Sequence, residues 1–363
     1  MLIQSSNTTK IDLLIILVIN SLACIGLLFI WSTTIKAYAF FSLFFQKQFF
    51  GILTGNVLYL LSSKLDFRSV LKYSYFLYPI FLMMLLYTLF RGHVGLGGQR
   101  WINLGFLKFQ PSELGKIMFP SFSIYYLSIA QKRKFGFFFV LICLFASFLL
   151  IRKQPDLGTA VIIFLIGLLL VWFAGLPKKI FYIGFISCIL TAPYLFTILR
   201  SYQKERIAVF FGYGNPLKER YQTEQAIIAI GSGGLWGKGL LKGTQNKLQF
   251  LPEGRTDFVF AVLCEEWGLL GALLLLILYG ILFTRIFIII SQTKNRLMQL
   301  YGAGITLHIF LSTIINISMV LGMLPIVGIP LPFCSYGLTN LWVNYISLGF
   351  LNNITYHQMQ ELH

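Results

Sequence analysis

The chain alternates between long unbroken apolar runs and shorter polar connections. Ten runs stand out, at about 12–31, 43–62, 71–90, 112–130, 135–151, 157–175, 179–198, 258–284, 297–322 and 338–356. Segments such as ALLLLILYGILF and FGFFFVLICLFASFLLI are continuously apolar, and several runs approach the roughly 20 residues that cross a bilayer core as a helix. A closed β-barrel also satisfies its backbone hydrogen bonds in lipid, but it reads as alternating strands of about 10 residues. The pattern predicts an all-α, polytopic integral membrane protein of about ten transmembrane helices. The first run is too long for a signal-peptide core and has no convincing cleavage site, so it is a retained span.

The connections orient the spans. Those after runs two, four, six and eight carry SSKLDFRSVLK, QKRK, LPKK and RIFIIISQTKNR. By the positive-inside rule they are cytoplasmic, and an even number of spans puts both termini there. The opposite connections break that rule. They hold Arg91, Arg100, Lys108, Arg152, Lys153 and nine more basic residues between 199 and 257, and nine of the twelve acids lie on the same side. Cations kept on the outer face against the topology signal suit an anionic ligand such as phosphate or pyrophosphate. Scattered snorkelling at the interface is the plainer alternative.

Composition agrees. Mean hydropathy is +0.78, and only 11% of residues are charged, against about 25% in a soluble domain. Five cysteines are scattered without a CxxC, which fits small packing residues and no disulfide frame. Four histidines at no ligand spacing make a zinc site improbable. Residues 1–363 read as a single membrane domain, within which 199–257 is one large extracytoplasmic loop. The start of that loop suits one or two amphipathic helices lying on the membrane. Six glycines follow between Gly231 and Gly243. They lack the GK[ST] of a P-loop and the strand context of a dinucleotide fold, so their physical content is a sharp turn or a close backbone approach.

Four polar groups could carry chemistry. The stretch LQFLPEGRTDFVFAVLCEEWG (248–268) places Asp257 at the mouth of the eighth span, either as a helix cap or as a functional carboxylate. Glu265 and Glu266 lie about 12 Å deeper on the same helix. A span starting at 269 and ending at 284 would reach only about 24 Å, short of a 30 Å core. The glutamates are therefore expected near the boundary or along a wet cavity, as structural supports. In GGQRWINLGFLKFQPSELGKI (97–117), Pro111 suits the first turn of span four. Glu113 and Lys116 share a helical face there, to pair with each other or to line a cavity. Arg100 and Trp101 add a cation and an interfacial ring. RKQPDLGTA (152–160) sets Asp156 at the head of span six. Finally, LGMLPIVGIPLPFCSYG (321–337) has three prolines, three glycines and no charge. Non-helical backbone this apolar is tolerated only inside protein or along a cavity, so it is expected to fold inward as a re-entrant segment. Together these elements predict a polar cavity facing outward.

Taken in order, GGQRWINLGFLKFQPSELGKI, QPDLGTA, AIGSGGLWGKG, LPEGRTDFVFAVLCEEWG and GIPLPFCSYG resemble the SEDS family (shape, elongation, division and sporulation) over about residues 95–340. The resemblance implies ten spans and a peptidoglycan glycosyltransferase that polymerises lipid II into a growing glycan strand at the outer leaflet of the cytoplasmic membrane. It also implies a class B penicillin-binding protein as partner, beside membrane lipids; no nucleic acid is expected. Gly243-Thr244-Gln245 is nearer the elongation branch. Asp257 matches the family's essential aspartate. Glu113, Lys116 and Asp156 match polar residues of its central cavity, Arg100 and Trp101 its first motif, and Lys47 a cavity cation. The chain departs from the pattern where Leu338-Thr339 follow Ser335-Tyr336-Gly337, and at Gly254-Arg255. Ser335 stands in the final loop beside the first departure.

The chemistry this implies needs a base for the attacking hydroxyl and positive charge for the departing pyrophosphate. Asp257 is the expected base, or alternatively the ligand of a divalent cation, Mg²⁺. Lys116, Arg100, Lys47 and the loop cations are the expected counter-charges. A lipid II flippase with the same cavity is the rival reading. It calls for a polar route through to the cytoplasm, whereas the charges cluster on one side.

Overall fold

The computed structural model describes residues 11–35, 41–95, 98–105, 108–130, 134–198, 201–213, 220–247, 250–251 and 253–360. In chain order the helices are α1 (Leu13–Thr34), α2 (Leu43–Lys64), α3 (Phe67–Arg91), α4 (Pro111–Ile129), α5 (Lys134–Lys153), α6 (Leu157–Phe173) and α7 (Lys178–Ile198). The long loop adds α8 (Ser201–Phe210), α9 (Tyr221–Gly233) and α10 (Thr244–Lys247). The chain closes with α11 (Val259–Gln292), α12 (Arg296–Val320) and α13 (Leu338–Gln360). Each apolar run read from the sequence thus holds one long helix. Several begin on the expected chemistry: Asp12, Ser42, Asp66, Asp156 and Asn295 accept backbone N–H bonds in the first turn, and Pro111 opens α4. The all-α reading admits one exception. Between α3 and α4, β1 (His93–Gly95), β2 (Gly98–Asn103) and β3 (Lys108–Phe109) form an antiparallel sheet in that order, with Gly95 opposite Gly98 and Ile102 opposite Phe109.

Among the described residues, five helices are long and apolar enough to cross a membrane: α1, α3, α11, α12 and Phe135–Lys153 of α5. Helix α6 is apolar but shorter, and three of the others have a physical reason to be more polar. Gln48 of α2, Ser112, Glu113 and Lys116 of α4, and Asn340, Asn344, Asn352 and Asn353 of α13 are all buried against other helices. A helix shielded by protein does not need a lipid-compatible surface all round. The chain is a helical membrane protein.

Two apolar clusters build the interior. One gathers α1, α2, α9, α11 and the 331–334 segment; the other gathers α3, α4, α5 and α6. Helices α12 and α13 contribute to both. In the second cluster Tyr78 stacks on Phe122 with ring centroids 4.2 Å apart, and its hydroxyl meets Ser147 at 2.8 Å. At the end of the bundle where α1 begins, Asp12 pairs with Arg285 (2.7 Å), and its N–H donates to Asn352 Oδ1 (2.9 Å). Asn353 donates there to the Ser63 carbonyl (2.9 Å).

Two features at the opposite end position the site. Of residues 321–337, the part from Ile329 onward folds inward, while Leu321, Met323 and Leu324 stay exposed. Ile329, Leu331, Phe333, Cys334 and Ser335 are buried, and the segment runs so close to α1 that a Cβ on Gly26 would lie 2.3 Å from the Cys334 carbonyl. The second feature is a break in α11. Gly268 adopts φ 65° and ψ −158°. Beyond it 24 residues remain to Gln292 (269–292), about 36 Å of helix. The span read as ending at 284 therefore runs eight residues further, to Gln292. The helix continues through Arg285 because that guanidinium is neutralised by Asp12, and the glutamates sit on a separate segment ahead of the break. Gly234 and Leu235 carbonyls accept the N–H groups of Leu269 (2.9 Å) and Leu270 (3.3 Å), while Lys238 and Gly239 donate to the carbonyls of Glu265 and Glu266 (2.9 Å each). The glycine-rich stretch approaches the backbone of the 265–270 segment.

A Cβ on Gly268 would lie 2.4 Å from the Gly237 nitrogen, at a backbone angle L residues rarely adopt. Gly268→Ala is expected to cost about 3 kcal/mol or more, read as a lowered unfolding midpoint in detergent.

Candidate active site at the loop end of the bundle

Asp257 lies in the turn before α11 but does not cap it. Phe258 holds the N-cap position, and no side chain accepts a backbone N–H there. The turn is fastened from behind instead. Asn316 of α12 donates to the carbonyls of Asp257 (2.9 Å) and Ile329 (2.7 Å), tying the turn to the re-entrant segment. Ser335 donates its hydroxyl to the Thr256 carbonyl and accepts from Leu331 N (2.8 Å), and Tyr336 N donates to the Arg255 carbonyl (2.9 Å). With its backbone held, the Asp257 side chain faces the bend at Gly328, where a Cβ would lie 3.6 Å from Oδ2. Among the described residues, no group donates a hydrogen bond to this carboxylate.

The surroundings explain its acidity. The side chain keeps some solvent exposure but is ringed by protein. Burial pushes its pKa from the ordinary 3.8 to about 6. The Glu253 carboxylate adds to the rise, Arg206 and Arg100 oppose it, and Asp156 pushes weakly upward. The same interactions place Arg100 of β2, Asp156 at the head of α6 and Arg206 of α8 within electrostatic reach of Asp257.

Asp156 is buried and fully engaged. Its Oδ2 accepts from Gln110 (2.7 Å) and Ser112 (2.9 Å), while its Oδ1 meets Arg100 Nη1 (3.5 Å) and caps α6 through Thr159 N (3.4 Å). Arg100 lies over the Trp101 ring, 4.7 Å from its centroid. Deeper in, Lys116 and Glu113 pair at 2.7 Å, almost wholly buried. The local ion pair is thus what forms, and Glu113 also accepts from Asn340 (2.8 Å) and Thr159 (3.4 Å). Removing either partner would strand a buried charge.

The glutamates of α11 hold the long loop. Glu265 accepts from Lys238 Nζ (2.7 Å), Thr244 N (2.7 Å), Thr244 Oγ1 (2.9 Å) and Gln245 N (3.1 Å). Glu266 accepts from the Ser32 hydroxyl and from Leu241 N (3.0 Å). Lys47 is not brought to the cleft. It is exposed on α2, lining a separate groove of about 420 Å³ with Phe50, Leu338 and Trp342. Its neighbour Gln48 is the buried one and donates to the Ser335 carbonyl (3.2 Å).

Sequence reasoning passed over three contributors: Arg206, Asn316 and Gln48. Arg206 donates to the Ile326 carbonyl (2.8 Å) and lines a cavity of about 590 Å³ between α8, α9 and residues 321–326. Asn316 could have been found as an amide deep within an apolar span, where polar groups are rare.

A helical membrane bundle thus carries, at one end, a carboxylate beside two guanidinium groups over a re-entrant floor. The chain belongs to the FtsW/RodA/SpoVE family of cell cycle proteins, which matches residues 12–360. It is 34% identical over 352 residues to the peptidoglycan glycosyltransferase MrdB of Escherichia coli K12, covering 96% of this chain and 94% of that protein. It is 32% identical over 372 residues to the stage V sporulation protein E of Bacillus subtilis, covering 97% and 99%. Among solved structures, the fold is shared with a chain of a peptidoglycan synthase complex, described for its coordination of polymerization and crosslinking (TM-score 0.81, 24% identity, 97% and 99% covered). It is shared also with the rod shape determining protein RodA of Thermus thermophilus (TM-score 0.70, 24% identity, 96% and 98% covered).

A carboxyl with a raised pKa binds its proton more tightly folded than unfolded, so its charge destabilises the fold above pH 6, and that penalty disappears below about pH 4. Asp257→Asn is accordingly expected to unfold at a higher temperature than the parent at pH 7.5, with the difference lost near pH 4. Glu265→Ala strands the Lys238 ammonium and two loop N–H groups, and should lower stability by about 1–3 kcal/mol, measured by thermal denaturation.

Proposed function

We propose that this protein is a peptidoglycan glycosyltransferase that polymerises lipid II on the outer face of the cytoplasmic membrane in support of cell elongation and shape. In this reading all ten long helices cross the bilayer, both termini are cytoplasmic, and the Asp257 cleft opens outward. The basic connections at the opposite end support that orientation. The observation that carries the proposal is the Asp257 carboxylate itself, its backbone fastened by Asn316 and its side chain facing Gly328 of the re-entrant segment, within electrostatic reach of Arg100 and Arg206.

A sugar hydroxyl of lipid II attacks the anomeric carbon of the growing glycan. The new C–O bond forms as the bond to pyrophosphate breaks, and undecaprenyl pyrophosphate leaves with the bonding pair. Asp257 takes the hydroxyl proton, a step worth about 10²–10⁴-fold from a positioned base. Arg100 and Arg206 face the charge that develops on the leaving group. Lys116 is spent on Glu113 and acts by shaping the interior; Lys47 lies in its own groove, apart from Asp257.

Among the described residues, no three acidic, histidine or cysteine side chains gather as a metal cage. Asp156 is already saturated. Mg²⁺ commonly takes one or two carboxylates plus substrate phosphates, so in the alternative role, in which Asp257 is a metal ligand instead of the base, it would hold such an ion together with the substrate. Such an ion would neutralise departing charge. A class B penicillin-binding protein that crosslinks the nascent strand is the natural partner, in keeping with the complex in which the related fold was solved.

The test uses the purified protein in detergent with that partner, lipid II and Mg²⁺. Glycan polymer is expected, with a rate rising through pH 6 to a plateau. Asp257→Asn should express and insert normally yet make no polymer. A fully active variant would remove Asp257 from the mechanism. Absence of polymer from the parent, together with lipid II translocation in liposomes, would assign a flippase instead.

A further inference from the structure

A line of buried polar side chains descends from the cleft between α4, α12 and α13. Glu113 accepts from Asn340 Nδ2 at 2.8 Å, Asn340 Oδ1 accepts from Asn344 Nδ2 at 3.0 Å, and Asn344 Oδ1 lies 3.0 Å from His308 Nε2. Asn344 and His308 are fully buried. His308 is the thirteenth of the 25 residues of α12, roughly 18 Å of helix from either end. The line therefore starts near the middle of the bundle.

Its polarity is dictated from the top. Glu113, ion-paired with Lys116, can only accept. Asn340 must then turn its NH₂ toward Glu113 and its carbonyl toward Asn344. Asn344 in turn gives its NH₂ upward and its carbonyl to His308. The ring meets an acceptor, so Nε2 must carry a proton. Flipping Asn340 would set acceptor against acceptor at Glu113 and donor against donor at Asn344, and flipping Asn344 would set its carbonyl against that of Asn340, which is how such orientations are assigned. Upward, Glu113 touches Thr159, whose N–H is capped by Asp156, the partner of Arg100.

Interhelical hydrogen bonds within membranes add little stability on average, and apolar side chains would fill the same space. Three successive hydrogen bonds sharing a fixed direction, two of them between helices and one within α13, suit orientation better than strength. We propose that His308, Asn344 and Asn340 form a positioning chain that holds the Glu113–Lys116 pair, and through Thr159 the Asp156–Arg100 pair, in the arrangement polymerisation requires. His308 is its anchoring donor and a positioning residue. This rests on the glycosyltransferase reading.

Lipid II polymerisation by the parent is compared with His308→Leu, Asn344→Leu and His308→Gln, the last keeping an N–H donor. Both leucine variants are expected to lose about 10-fold or more in kcat with KM within about 2-fold of the parent. His308→Gln should recover most of that loss. Leucine variants with the parent's kcat, or a glutamine variant as impaired as His308→Leu, would overturn the proposal. Independently of activity, ¹⁵N-histidine NMR of the parent, with the His308 signal identified as the one missing from His308→Gln, should show a protonated Nε2. An unprotonated Nε2 overturns the chain outright. A parent that makes no polymer fails the functional reading, and the NMR result then still decides the chain's polarity.

Discussion

Backbone amides cannot be left unpaired inside a membrane protein, where each costs several kcal/mol, and residues 321–337 carry a run of them into the bundle. Everything at the functional end follows from how those groups are satisfied. Gln48 of α2 meets the Ser335 carbonyl and the Gly337 N–H. Tyr279 of α11 donates to the Pro332 carbonyl, and Asn316 of α12 holds Ile329. The same amide that closes Ile329 also holds the backbone of Asp257. The aspartate is thus set in place by the floor beneath it, while its carboxylate is left without a donor among the described residues.

That arrangement separates two kinds of acid. Glu113, Asp156, Glu265 and Glu266 are consumed by hydrogen bonds and ion pairs that hold helices and loops together. Asp257 is electrostatically surrounded but unoccupied by protein donors, which suits a group that must exchange a proton or meet a ligand. A pKa near 6 follows from burial opposed by two guanidinium groups, and it leaves the carboxylate ionised at neutral pH yet basic enough to accept a proton.

Much of this was legible in the sequence, because lipid imposes a strict rule on apolar runs. The helices, the inward fold of the uncharged proline-rich segment and the supporting role of Glu265 and Glu266 were all readable. Asp257 was visible as an acid at a loop–helix junction, though its failure to cap the helix was not, since the cap position depends on where the first turn closes. Lys47 and Gln48 are adjacent, and one residue turns a helix by 100°; nothing local says which of the two faces inward. The end of α11 was misjudged because Arg285 read as a boundary, when a partner 273 positions earlier neutralises it. Arg206 was one cation among nine in a loop, and only the fold singles it out.

The pairing of Asp12 with Arg285 and of its N–H with Asn352 joins the first helix to the last across 340 residues of chain. During synthesis α1 enters the bilayer long before either partner exists. Its N-terminal carboxylate must remain at the water boundary until the eighth long helix arrives, and the amide link closes only with the tenth. The contacts that fasten the start of α1 are thus ones that only the late helices α11 and α13 can supply.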